Sequence, residues 1–166
     1  MVSARRLVPG DVIGVSGPLQ GKYYLGVYIT KNRFGNAFGF FRGLWSPELP
    51  NADVDLSPCG HPIYTTLHGI WDGSWLLIGR REVLLKYFDN DPEIYHAKRH
   101  NLKNDAIGEF GAAERASNEL RKIDADEAAR VGLLDNSYDV ALLPTEVASK
   151  LAQWNCHELD GEHDSR

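Results

Sequence analysis

Between Tyr23 and Thr30 the side chains alternate in a way that uses both faces of an extended chain. Tyr23, Leu25, Val27 and Ile29 fall on one face, and Tyr24, Gly26, Tyr28 and Thr30 on the other, because successive strand residues point to opposite sides. Pro9, Gly10 and Asp11 form a turn signal that launches Val12 to Ser16, and Gly17 to Gly21 form a second one before the long run. Asn32 to Asn36, with Gly35 inside it, reads as a hairpin connection returning through Ala37 to Phe41. Gly14, Gly26 and Gly39 remove side-chain bulk at strand positions, which predicts a curled sheet or small barrel.

From Leu44 to Pro62 the pattern lapses, and Pro47, Pro50, Pro58 and Pro62 predict a long surface loop. Strand chemistry returns at Ile63 to Leu67, Trp75 to Ile78, Val83 to Phe88 and Ile94 to Ala97, with Gly69 to Ser74 and Asp89 to Pro92 as turns. A central sheet of six or more strands follows. Asp124 with Glu127 three residues later resembles a capping box, and Gly132 is a stop signal for that short helix. A stronger helix starts at Pro144, pairs Glu146 with Lys150 and aligns Val147, Leu151 and Trp154, so that Trp154 is expected to dock it on the sheet. Ala113, Ala116, Leu120 and Ile123 fit a helical period, but a bent hairpin suits the polar residues between them equally well. The pattern predicts an α+β fold: a strongly curved, mostly antiparallel, barrel-like sheet with one or two C-terminal helices packed on it. One domain is expected over residues 1–156, with a disordered acidic tail over 157–166.

A chain of 166 residues is long enough for one sizeable core. No run approaches the roughly 18 apolar residues of a membrane span. No apolar stretch follows Arg5 and Arg6, so a cytoplasmic protein is expected. Cys59 and Cys156 are accordingly expected to be free thiols, the alternative being a long-loop disulfide worth ~4 kcal/mol in a secreted domain. The net charge is −5, and residues 101–166 hold seven Lys/Arg against fourteen Asp/Glu. Acidic balance disfavours nucleic acid, which is bound through clustered cations, and favours a basic protein partner.

Candidate chemistry is sparse. Cys59, His61 and His68 lie close in sequence, as do His96 and His100, but neither spacing is that of a structural zinc site. Cys59 and His61 could form a nucleophile and base, yet no oxyanion-hole loop follows. Glycines at 10–14 and 108–111 lack the flanks of a dinucleotide or phosphate loop. Acid pairs at Asp89 and Asp91, and at Asp124 and Asp126, have turn and capping explanations. Neither an enzyme nor a cofactor or metal protein is expected. Aromatic residues near turns, Phe34, Trp45 and Trp71, are the more informative feature, since large aromatic side chains anchor interfaces.

Several segments taken in order resemble the immunity protein 26 family of bacterial polymorphic-toxin systems: Gly10 to Ile13, the Gly-Lys-Tyr-Tyr-Leu-Gly-Val run from Gly21 to Val27, and Gly73 to Gly79 around Trp75. The Asp124 to Leu133 capping segment and the helix after Pro144 are also similar, whereas the proline-rich stretch from Leu44 to Pro62 and the acidic stretch from Asn104 to Asp124 depart from the pattern. The resemblance implies an α+β fold with a strongly bent sheet, binding of a cognate toxin, and no catalytic residue. The expected contact surface lies on loops at one end of the sheet. Phe34, Trp45 and Trp71 would be anchors there, with Glu48, Asp53, Asp55 and Asp72 supplying charge opposite a basic toxin. A monomer or weak dimer is expected. A small β-barrel that binds a ligand or an oligonucleotide by stacking on the Tyr23–Tyr28 and Phe38–Phe41 aromatics is the alternative.

Overall fold

Strands β1 (Asp11–Ser16), β2 (Tyr23–Asn32) and β3 (Gly35–Phe40) form where the alternation is strongest, with β2 and β3 joined by a tight turn at Arg33 and Phe34. The computed structural model describes residues 6–51, 54–97, 108–117, 120–133 and 142–159. Asp53, His100 and the expected tail from residue 160 onward lie outside them. Strands β4 (Ile63–Thr65) and β5 (Trp75–Arg80) complete an antiparallel sheet of order β4-β3-β2-β1-β5. A second antiparallel sheet is made of β6 (Ile94–His96), β7 (Ala112–Glu114) and β8 (Leu120–Lys122). Helices α1 (His68–Trp71), α2 (Ala125–Arg130) and α3 (Pro144–Gln153) complete the α+β fold.

The main sheet is open, not barrel-like, and has five strands rather than six or more. Alternation makes both of its faces apolar, and separate elements cover each of them. Ile13, Val15, Tyr24, Tyr28, Phe38 and Phe40 share one buried cluster with Ile70 of α1 and with Val147 and Leu151 of α3. On the opposite face Val12, Leu25, Val27 and Phe41 meet Leu84, with Leu49, Tyr87 and Phe88 packed around them. The strand glycines do not curl the sheet shut; they admit rings. A Cβ on Gly39 would lie 2.5 Å from the Phe88 ring, and one on Gly26 would lie 2.7 Å from Phe40, its cross-strand partner.

Residues Val83 to Phe88, expected as a strand, instead form a 3-10 turn over Glu82–Tyr87. That coil lays Leu84, Tyr87 and Phe88 on the sheet's second face instead of extending its edge. Between Ala112 and Lys122 the hairpin prevails over the helix, since β7 pairs with both β6 and β8 and leaves Ala112 and Ala113 fully buried.

Both C-terminal helices start as their sequences dictate. The Asp124 carboxylate accepts the Glu127 amide at 2.8 Å, and Gly132, at φ 88°, ends α2. Pro144 opens α3, and the Glu146 carboxylate accepts the Leu143 amide at 2.9 Å. Val147 and Leu151, both 0% exposed, dock α3 on the sheet. Trp154 packs against the same cluster from its edge: it stands at the C-cap, half-buried, with its ring over Gly60 and edge-on to His61.

The two cysteines are not free. Cys59 and Cys156 form a disulfide, both fully buried, across a sequence separation of 97. Tertiary pairing brings them together. The Cys59 amide donates to Phe40 O at 2.8 Å, continuing the β3 edge, and the Gly43 amide donates to Cys156 O at 2.7 Å.

Candidate functional site

The residues expected to form one binding surface are separated by the topology. Phe34 sits in the β2–β3 turn, while Trp45 bridges Tyr23 at the other end of β2. Nine residue steps lie between Tyr23 and Asn32, about 30 Å of strand. Phe34 is half-buried, packed edge-on against Tyr64 with the Arg33 guanidinium 4.4 Å from its ring. Arg33 also donates to Glu114 at 2.7 Å, so the hairpin tip is pinned to the second sheet. Trp45 is half-buried against the second-face cluster and donates Nε1–H to Arg42 O at 3.3 Å. With Glu48 it lines a surface depression of about 360 Å³ that also holds Lys22. Asp55 is exposed on the same loop.

Trp71 lies elsewhere. β4 and β5 are opposite edges of the sheet, so the chain between them must cross its first face, and α1 makes that crossing. Ile70 points down into the core, leaving Trp71 57% exposed. Trp71 borders a cleft of about 660 Å³, shared with Leu7, Tyr28, Lys31, Asn36 and Leu67. His68, whose Nδ1 is 2.9 Å from Thr66 Oγ1, stands edge-on to it at 5.0 Å. Asp72 accepts the Ser74 amide at 2.8 Å, and the hydrogen bonds from the Ser74 backbone and hydroxyl hold its carboxyl below the ordinary range. Sequence reading singled out Trp71 from its Gly-flanked turn. It missed Leu7, Lys31 and Leu67, which reach the same cleft only through the crossover.

Neither histidine group is assembled as the spacing invited. With the Cys59 sulfur bonded to Cys156 there is no thiol for His61 to activate, and His61 Nδ1 donates to Pro62 O at 3.0 Å. His96 Nε2 lies 2.8 Å from Glu114 Oε1. Burial raises the Glu114 carboxyl, but the hydrogen bonds from Arg33 and His96 outweigh it and leave the group below its ordinary value.

A second cleft, of about 650 Å³, opens where the two sheets and the end of α3 meet. Its walls carry Arg42 and His61 from beside the main sheet, Tyr95 and Arg130 from the smaller lobe, and Gln153 and Trp154 from α3. His61 is the hub, with ring centroids 4.7 Å from Tyr95 and 4.9 Å from Trp154. Sequence reading missed this site because its parts come from five separated segments and none forms a local motif.

Burial, reinforced by Glu93 and Glu127, pushes the Tyr95 hydroxyl from 10.0 up to about 12, with Arg121 and Arg130 opposing. Because the folded value exceeds the unfolded one, the stabilising contribution is complete below pH 10 and disappears as pH rises through about 12. Urea melts at both ends of that window should show Tyr95→Phe losing about 2 kcal/mol less than the unsubstituted protein. Equal losses would place the hydroxyl in a wetter setting than its 7% exposure indicates.

No protein-family model matches the chain, and neither a curated protein nor a solved structure does.

Proposed function

We propose that the protein binds a protein partner, acting as an immunity protein that neutralises a cognate toxin, with Trp71 as the principal anchor. Trp71 carries the proposal: a tryptophan 57% exposed on a crossover that the buried Ile70 fixes to the core, beside a cleft able to take an apolar side chain. A large aromatic presented on a rigid support loses little conformational freedom on binding, which is why such residues dominate interface energetics. Asp72, held ionised by Ser74, places a carboxylate next to the anchor for a basic toxin. The resemblance of Gly73 to Gly79, the segment directly following the anchor, supports the immunity reading.

Trp45, Glu48 and Asp55 belong to a separate patch, about the length of β2 away from Phe34, and in this reading they contribute to a second contact area. The oligonucleotide-binding reading has less support. The sheet is open, and of the aromatics named for stacking Tyr24, Tyr28, Phe38, Phe40 and Phe41 are each 5% exposed or less, which leaves Tyr23, half-buried, as the one ring within reach of a base. No helix among the described residues is long and apolar enough to cross a membrane. Action in the cytoplasm is part of the proposal, and full burial of both sulfurs shields the disulfide from thiol attack there.

Co-expression with the cognate toxin should restore growth, and Trp71→Ala should weaken toxin binding by about 2 kcal/mol or more while leaving the melting temperature unchanged. Absence of rescue overturns the immunity reading. Unaltered affinity of the Trp71 variant overturns the choice of anchor.

A further inference from the structure

Strand β5 closes one side of the main sheet and pairs only with β1. The amides and carbonyls on its outer side have no hydrogen-bond partner among the described residues. At six residues it is also the longest edge there: β6 and β8 have three each, and β4, also three, is continued by Leu142, whose amide donates to Tyr64 O at 2.8 Å. An unpaired edge is a template for an added strand, and proteins commonly blunt such edges with lysine, proline or inward-pointing charge. Trp75 to Gly79 carry none of these, and the one irregularity is a register shift opposite Val12 and Ile13.

The side chains along this edge are apolar. Leu76, Leu77 and Ile78 are each half-buried. Leu77 and Ile78 pack on the clusters of the two sheet faces, whereas Leu76 belongs to none of the core clusters. The two ends of the strand differ in charge. Asp72, its carboxyl held ionised by Ser74, stands just before β5, and Arg80, Arg81 and Glu82 stand at its other end. Arg80 is ion-paired with Glu82, while the Arg81 guanidinium donates to Pro50 O at 2.8 Å, so that end keeps a positive charge beyond the pair.

We infer that two copies of this chain join through β5, paired antiparallel about a two-fold axis, so that their five-stranded sheets become one continuous sheet. Antiparallel pairing lays the Asp72 end of each strand beside the Arg80 and Arg81 end of the other. Parallel pairing would set Asp72 against Asp72. A two-fold pair is closed, so both open edges disappear at once and no further copy can add. The pairing does not depend on the toxin-binding reading.

Sedimentation velocity of the full chain from micromolar to millimolar concentration tests this. The weight-average mass should rise from 18.6 kDa toward twice that value. Hydrogen exchange at the two concentrations should show the added protection in the amides of β5 and not in β4, β6 or β8. Leu76→Lys sets two like charges close to the two-fold axis without touching a core cluster, so it should weaken association about tenfold or more. Its circular dichroism, and its melting temperature at micromolar concentration, should match those of the unsubstituted protein. A mass that stays at 18.6 kDa at millimolar concentration overturns the proposal and leaves β5 to a strand from another protein. A dimer that Leu76→Lys does not weaken, or whose added protection falls outside β5, overturns the choice of edge. The exchange pattern of the unsubstituted protein decides that point even where the variant fails to fold.

Discussion

Replacing Cys59 and Cys156 together with alanine should lower the unfolding free energy by about 4 to 5 kcal/mol. The bond closes a loop across a separation of 97 residues, so most of the chain loses conformational freedom in the unfolded state when it is intact. It also fastens the end of α3 to the strand edge, where the Cys59 amide bonds Phe40 O and the Gly43 amide bonds Cys156 O. Paired urea titrations of the oxidised protein and the double variant measure the difference. A loss under 1 kcal/mol would show that the two sulfurs are merely neighbours in solution and that helix packing alone closes this loop.

Leu151→Ala should cost about 3 to 4 kcal/mol, the range for emptying a fully buried leucine site. Leu151 is 0% exposed and belongs to the same cluster as Phe38, Phe40, Trp75 and Val147, so the vacated volume is walled by rings and strands that cannot follow it. Trp154→Ala should cost less than Leu151→Ala in spite of the larger side chain removed. Trp154 is half-buried at the helix end and its loss is partly filled by water. Thermal or urea melts of the two variants rank them. The reverse order would mean that α3 is held by its C-terminal tryptophan, as its position in the helical period first implies.

The candidate site was legible only in part, for a specific physical reason. Trp71 stood out as an aromatic residue displayed in the Gly69 to Ser74 turn, and the crossover leaves it exposed. Phe34 gave the same signal from a hairpin turn, yet Arg33 and Tyr64 enclose it. A turn residue's exposure depends on what docks against the turn, and the second sheet that docks there comes from residues some eighty positions later. Trp45 and Phe34 looked adjacent because only a short segment separates them, but a strand of that length carries its ends far apart.

Local chemistry by itself determined the alternation in β1 to β3, the turn at Gly35, the Asp124 cap, the Gly132 stop and the Pro144 helix, since each depends on backbone geometry and hydrogen bonds within a few residues. Tertiary structure alone decided whether the glycine-bearing sheet closes, because Gly39 is filled by Phe88 from a segment that only packing can bring there. It decided between helix and hairpin over Ala112 to Lys122, where pairing with β6 outweighed an ambiguous period. It also joined Cys59 to Cys156 and assembled the cleft around His61. Contacts between residues a hundred positions apart leave no periodic trace in the chain, and their entropy of closure is offset only when the whole core forms.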